Sequence, residues 1–444
     1  MERRVYRIRK RDKPMIVYIG LDFGTSYTKA AYYLGARGKG IVTFSKDKEA
    51  NFLPSVVYYD KNTKTMSMQV QSSQAEEIRY FKYTMLKGEE LFYNAEKKSF
   101  NNEYSNFYEL CSVYFLSQCL LLIKDHLQKE NPEVNFKWNI NMGVPLDNFS
   151  ESNDKYLYDR VLKAAYDIFQ ENIRGTMCLS DVYKYYSHDY EEHSSLKTFP
   201  ELYAEAFPLL KDTSVQDGLY IIIDIGGGTV DAACLRIAPR NEEDSKRTIE
   251  FITKMVVPYG LEILQAGVSR KQNKILNLEE YNKILDNVKD KMPEEKWPYK
   301  FDVDPFDALC KIFNGMLIDK KEEIKKNYGN KDSIDIPYVF TGGAADVSWY
   351  KNAIHTCISP LRGGGIKDLV SKKIKDILSS SHTQNLPKER LLIAESLACR
   401  PSEIPDIKGF PWHYPTDEKR KECEPGESTR EEKLEDIQRE RYAK

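Results

Sequence analysis

The sequence predicts an α/β protein built from two similar lobes, and three observations carry that expectation. The stretch LYIIIDIGGGTVD (219–231) reads as an apolar strand that ends in Asp224, followed by three glycines and a returning strand. The stretch MIVYIGLDFGTSYTKAAYYLG (15–35) repeats the same grammar, with Asp22 at the strand tip, Gly24 in the turn and hydroxyl residues after it. A chain of 444 residues can bury more than one core, so two such hairpins imply two lobes.

Each element follows from local pattern. Residues 51–60 (NFLPSVVYYD) alternate as a further strand of the first lobe, and EEIRYFKYTMLKG (76–88) places Lys82 among aromatic and polar neighbours. Apolar residues recur at helical spacing over 106–129, which predicts an amphipathic or largely buried helix before Pro132. FKWNINMGVPL (136–146) returns to the sheet, and the cap-type residues of SESNDKYLYDRVLKAAYDIF (150–169) open another helix. Residues 172–211 are less regular and Tyr-rich, ending in FPELYAEAFPLL, where Glu201 falls just inside a helix begun after Pro200. Past the second hairpin, 239–246 read as a charged turn and 248–257 as a strand. Helical patterns follow over 261–273, 277–292 and 302–328. IPYVFTGGAADVSWY (336–350) is a short buried strand with a turn at Gly342 and Gly343, and helices are expected around 367–378 and 390–397. The stretch after Tyr414 is almost wholly charged and cannot bury a core, so a disordered tail is expected over 415–444.

Composition narrows the function. A hydrophobic fraction of 41% and a charged fraction of 30% belong to a soluble globular protein, and a net charge of −2 creates no global field for nucleic acid or membrane. The eight cysteines form no CxxC pair and the six histidines show no metal-ligand spacing, which predicts reduced thiols and argues against a zinc centre. No apolar run reads as a membrane span, and the basic segment MERRVYRIRKRDKP precedes a strand, not a secretory core. A cytoplasmic location is the expectation. That basic leader reads as a solvated arm or short edge strand.

The two hairpins carry the chemistry. Ile221, Ile222 and Ile223 call for burial on both faces of a central strand. Glycines at 226, 227 and 228 let backbone N–H groups approach an anion, while Thr229 adds a hydroxyl and Asp231 a second carboxylate. In the first hairpin Asp22 stands at the corresponding tip, and Thr25, Ser26 and Tyr27 offer amides and hydroxyls to phosphate oxygens. Either stretch alone is as readily an ordinary hairpin turn; their pairing argues for a site. Gly342 and Gly343 lie at a strand-to-helix turn, where a nucleotide's base or phosphates can approach closely. Lys82 and Glu201 read by themselves as a surface lysine and a helix-dipole partner.

In this order and spacing the motifs resemble the ATPase domain shared by the Hsp70 chaperones and the actin superfamily. DFGTSYTK (22–29) matches the first phosphate motif of that family, IDIGGGTVD (223–231) the second, and VFTGGAAD (339–346) the adenosine motif. The resemblance spans residues 16–398. It implies a two-lobed actin/Hsp70 ATPase fold with duplicated ribonuclease-H-like domains. The first lobe would cover 14–215 with the first phosphate motif, and the second 216–400 with the second phosphate and adenosine motifs. It further implies ATP or ADP as ligand, with Mg²⁺ held largely through water by Asp22 and Asp224, and a monovalent cation such as K⁺ or an outer role at Asp231. Lys82, Glu201, Asp224 and Thr229 then take the catalytic roles. Gly24, Thr25, Ser26, Tyr27, Gly226, Gly227, Gly228, Thr229, Gly260, Gly342 and Gly343 contact the nucleotide.

The sequence departs from the Hsp70 pattern in three places. Asp346 and Val347 stand where the family carries an arginine on the adenine, and Arg270, Lys271 and Lys274 are weak matches to its basic adenosine helix. EIPDIKGFPWHYP (403–415) is unlike the family's apolar linker, and the peptide-binding module is absent from the expectation. The resemblance therefore implies a slow ATPase whose lobe closure acts as a nucleotide switch toward a partner protein. An actin-like, ATP-dependent filament, in which the chain partners itself, is the alternative. A small-molecule kinase of the same superfold and a nucleotide-binding pseudoenzyme are weaker ones.

Overall fold

A computed structural model of the chain describes residues 14–45, 50–87, 106–145, 152–188, 190–211, 215–241, 244–257, 259–262, 309, 311–313, 315–316, 336–345, 347, 350–351, 353–354, 390–400, 403–404 and 407–408. The expectations for the basic leader, for 277–292, for 367–378 and for the charged tail lie outside these residues, as do Arg270, Lys271, Lys274 and Asp346.

In chain order come β1 (Met15–Phe23), β2 (Tyr27–Tyr33), β3 (Lys39–Ile41), β4 (Leu53–Pro54), β5 (Val56–Asp60), β6 (Thr65–Ser67) and β7 (Ala75–Arg79). Helices α1 (Phe81–Lys87) and α2 (Phe107–Glu130) lead to β8 (Phe136–Val144) and α3 (Ser152–Gln170). Next are β9 (Met177–Cys178), α4 (Leu179–Tyr186), β10 (Leu196–Pro200) and α5 (Glu201–Lys211). The remainder holds β11 (Gly218–Ile225), β12 (Val230–Asn241), β13 (Asp244–Val257), β14 (Tyr338–Thr341), a helix we number α6 (Leu392–Leu397) and β15 (Ile407–Lys408). Residues 309, 311–313, 315–316, 350–351 and 353–354 are also helical.

These elements form a mixed α/β fold with three sheets. The first runs β10-β8-β1-β2-β3, with β4 also on β2, and the second runs β14-β11-β12-β13-β15. In both, a strand whose penultimate residue is aspartate pairs antiparallel with its successor on one side and parallel with a later strand on the other. The two hairpins are therefore placed alike, each at the middle of its sheet. A third sheet, β7-β5-β6-β9, is formed by short strands that follow the first hairpin in the sequence. The single strand expected over 51–60 is split by Ser55 into β4 and β5, which belong to different sheets. Likewise the strands β12 and β13 run through most of the expected turn at 239–246, with a register irregularity between Pro239 and Asn241.

The core lies on both faces of each main sheet. Val17, Ile19, Leu21 and Phe23 of β1 join α2 in one cluster, where the rings of Phe23 and Phe115 stack at 6.0 Å. Alternation along β11 sends Tyr220 and Ile222 into this cluster and Leu219, Ile221, Ile223 and Ile225 into a second, with Leu309, Phe313 and Tyr350. α2 is, among the described residues, the one helix long and apolar enough to cross a membrane, and 83% of its apolar window is buried within the fold. On the other side of the first sheet, α6 lies directly on β1: a Cβ on Gly20 would meet Ala394 O at 2.0 Å and Ala398 N at 2.4 Å. Only a glycine admits the helix backbone that closely. Asn141 of β8 donates to Leu397 O at 2.8 Å and Cys399 O at 3.2 Å, satisfying carbonyls that the short helix leaves open. Cys111, Cys119, Cys178, Cys234 and Cys399 are free thiols, and all but Cys178 are buried.

Candidate functional site

The two hairpin turns meet. β1 ends at Phe23 and the turn Gly24–Tyr27 is braced from outside by Ser55, whose N–H donates to Ser26 O at 2.9 Å and whose hydroxyl donates to Gly24 O at 2.8 Å. In the second turn Gly226 N–H donates to Thr229 O at 2.9 Å, closing the loop between β11 and β12. A Cβ on Gly227 would lie 2.1 Å from Ser26 Oγ, and one on Gly228 would lie 3.0 Å from Thr25 Oγ1. The hydroxyl residues of one turn therefore face the glycines of the other. Gly260 packs on the same place, with N–H groups of Gly260, Leu261 and Glu262 donating to the carbonyls of Gly228, Gly226 and Gly227 at 3.2, 3.0 and 2.9 Å.

Three pieces of backbone aim charged groups beneath these turns. Asp22 faces Lys29 across the β1–β2 ladder, and their side chains pair at 2.5 Å. Tyr80 holds a left-handed backbone, φ 58°, between β7 and α1, and this kink launches α1 with Lys82 in its first turn. A strained non-glycine residue beside a cluster of charges marks a constrained site. Lys82 Nζ donates to Glu201 Oε1 at 2.7 Å, both side chains being buried, while the Phe23 ring lies 5.6 Å from the ammonium. Glu201 opens α5 directly from β10, so helix start and sheet edge together set its position.

Asp224 and Asp231 face each other in the β11–β12 ladder, and Thr341 of β14 stands beside Asp224. Gly342 turns the chain away at φ 86°, and a Cβ there would overlap Asp224 Oδ1 at 2.0 Å. Glu205, one turn after Glu201 on α5, has the Thr341 hydroxyl as a partner. Asp224 Oδ1 and Glu205 Oε2 are buried without a hydrogen-bond partner, and the Asp231 carboxylate, also buried, has the Thr229 hydroxyl beside it.

This crowding shifts proton affinities upward. Burial, then the charges of Glu201 and Asp22, push Asp224 up to about 7. Burial and the charge of Asp224 hold Glu205 well above the usual carboxylate range, and burial with Asp224 and Glu201 does the same for Asp231. Glu201 is raised by burial in spite of Lys82. Among the described residues, the charges set against the carboxylates of Asp22, Glu201, Glu205, Asp224 and Asp231 are the ammoniums of Lys29 and Lys82. Such an excess of buried negative charge is stable only with bound protons or an added cation. Among the described residues no three His, Cys, Asp or Glu side chains converge closely enough to ligate a metal directly. The orphaned oxygens fit an ion that keeps its own water shell.

The expected site residues therefore fall into one neighbourhood. Asp22, Lys82, Glu201, Asp224 and Asp231 form the charged floor, and Gly24, Thr25, Ser26, Tyr27, Gly226, Gly227, Gly228 and Gly260 form the abutting turns. Gly342 lies on Asp224, Thr229 eases the charge of Asp231, and Gly343 lies to one side next to Arg390. Five participants had no sequence assignment: Lys29, Ser55, Glu205, Glu262 and Arg390. Glu205 carried a readable signal, its four-residue spacing from Glu201 on one helix face. Glu262 is raised by burial, with the hydroxyls of Ser26 and Tyr80 and the charge of Arg79 easing it, so it ties the second turn to the first.

No family model matches the sequence, and no curated protein matches it significantly.

Proposed function

We propose that the chain is an Hsp70-like ATPase of the two-lobed actin/Hsp70 fold, in which ATP binding and slow hydrolysis set the angle between two ribonuclease-H-like lobes. The observation that carries this reading is the meeting of two alike hairpin turns, one from the middle of each main sheet, over a buried floor of carboxylates and lysines. A glycine turn facing a hydroxyl turn offers N–H and O–H donors from two sides, which suits a chain of phosphates.

The residues then divide the work. Thr25, Ser26 and Thr229 donate to phosphate oxygens, and Lys82 neutralises charge on the terminal phosphate. Glu201 accepts from Lys82 at 2.7 Å and fixes its direction. Asp224, with an unpartnered Oδ1, accepts a proton or hydrogen bond from the attacking water. Mg²⁺, when bound, would neutralise the phosphates and lie on the side of Asp22 and Asp224 through its water shell. Phosphoryl transfer asks mainly for positioning and charge stabilisation, so a site of this composition suffices for slow turnover. Because the donors come from both sheets, the ligand that bridges them holds the lobes together, and loss of the terminal phosphate relaxes that hold.

The test is phosphate release from Mg-ATP by the purified protein, together with ultracentrifugation in Mg-ATP and in Mg-ADP. Release that is lost in Asp224→Asn, with the protein remaining in the supernatant, is the expected result. ATP-dependent pelleting would favour the filament reading, and absence of any nucleotide binding would overturn both.

A further inference from the structure

Arg390 stands just before α6, far in sequence from every motif, yet it reaches the place where the first turn and the Gly342–Gly343 turn converge. Its guanidinium carbon lies 4.1 Å from the centroid of the Phe52 ring and 5.6 Å from that of Tyr27. Its Nε lies 3.9 Å from where a Cβ on Gly343 would stand, and this Nε is buried without a hydrogen-bond partner. Tyr27 opens β2, Phe52 precedes β4, and Gly343 follows β14, so the side chain spans the two main sheets. Lys29 and Lys82 are each engaged by a carboxylate, whereas no carboxylate among the described residues pairs with Arg390.

A guanidinium has two kinds of binding surface. Its flat face takes aromatic rings, and its edge takes oxygen acceptors in the plane, best of all an anion in bidentate contact. Here the Phe52 ring lies 4.1 Å from the guanidinium carbon and restrains the group from one side. The edge carries the unmet need, a desolvated N–H donor with no acceptor. A polyanionic ligand between the turns would otherwise meet a site whose floor is rich in carboxylates. A cation not already consumed by that floor is what such a ligand requires.

We propose that Arg390 is a phosphate-binding residue of the nucleotide site, donating from its guanidinium edge to phosphate oxygens while Phe52 and Tyr27 restrain it. This rests on the nucleotide reading above and names the counter-charge that reading needs. It also makes the start of α6, and through it the β1 face of the first lobe, part of the ligand's grip.

The experiment is calorimetric titration of the full chain with Mg-ATP, Mg-ADP, adenosine and tripolyphosphate, for wild type, Arg390→Met and Arg390→Lys. The expected result is that Arg390→Met weakens ATP and ADP at least tenfold and leaves adenosine within twofold, while Arg390→Lys recovers part of the loss. Equal weakening of adenosine, or unchanged ATP binding, overturns the assignment. If Arg390→Met melts well below wild type, Arg390→Lys decides: a threefold or greater loss confined to the phosphorylated ligands supports the proposal, and no loss overturns it. Wild type that binds tripolyphosphate through Arg390 but neither nucleotide would sink the nucleotide reading and keep Arg390 as a phosphate-binding residue only. Wild type that binds none of the four overturns both.

Discussion

The Lys82–Glu201 pair shows at the residue scale how the site is held and what it would cost to disturb. Both charges are buried and 2.7 Å apart, so Lys82→Ala leaves a carboxylate without compensation in a desolvated place. Removing one partner of such a pair costs about 3–5 kcal/mol. We expect a clear fall in melting temperature for Lys82→Ala and a smaller one for the double variant Lys82→Met/Glu201→Leu, in which no charge is stranded. Phosphate release should be lost in both. Glu205 gives a second prediction. Its folded-state proton affinity is raised above the unfolded value, so its contribution to stability is complete below about pH 4.5 and declines as pH rises toward the folded value. The nucleotide-free protein should therefore melt at progressively lower temperature as pH rises above about 5, at up to about 1.4 kcal/mol per pH unit for each proton released. Glu205→Gln, which cannot lose a proton, should flatten that slope in thermal melts; an unchanged slope would remove Glu205 from the cause.

At the scale of elements, α6 and β1 pack backbone against backbone. A side chain at Gly20 has backbone atoms of Ala394 and Ala398 in its way, and backbone does not yield as a flexible side chain does. Gly20→Val should destabilise by about 1–3 kcal/mol or more, with α6 displaced and its amides exchanging faster with solvent. Asn141→Ala, which strips two carbonyl partners from the end of α6, should cost about 1–3 kcal/mol by chemical denaturation. Strand tips and turns of the two hairpins were legible because Asp, Gly and hydroxyl residues signal locally. The break at Ser55 was not, because its reason is tertiary: Ser55 turns in to brace the Gly24–Tyr27 turn. Lys29 escaped notice because cross-strand pairing brings it to Asp22 over seven residues, and Arg390 because it approaches only through the packing of α6. The extended β12–β13 ribbon was hidden by the charged residues of 239–246, which a solvated hairpin end tolerates as well as a loop does.

The whole molecule joins two sheets of similar strand order through groups that cross between them. Glu262 ties the second turn to Ser26 of the first and to Tyr80, and Arg390 spans from Phe52 to Gly343. On the proposed nucleotide reading, Glu262 competes for the Ser26 hydroxyl that a bound phosphate would use. Glu262→Gln should leave the fold intact and tighten Mg-ATP binding severalfold, since a neutral amide yields the Ser26 hydroxyl more readily than a carboxylate does. Weaker binding would show that Glu262 is needed by the ligand and does not oppose it. The most direct measurement of the central claim is Mg-ATP titration of wild type against Gly228→Val, followed by calorimetry. Wild type should bind one nucleotide per chain, and Gly228→Val, which puts a branched side chain against Thr25 and Tyr83, should bind none while keeping a cooperative melting transition. Equal binding by the two proteins, or no binding by wild type, would contradict the placement of phosphate between the two turns.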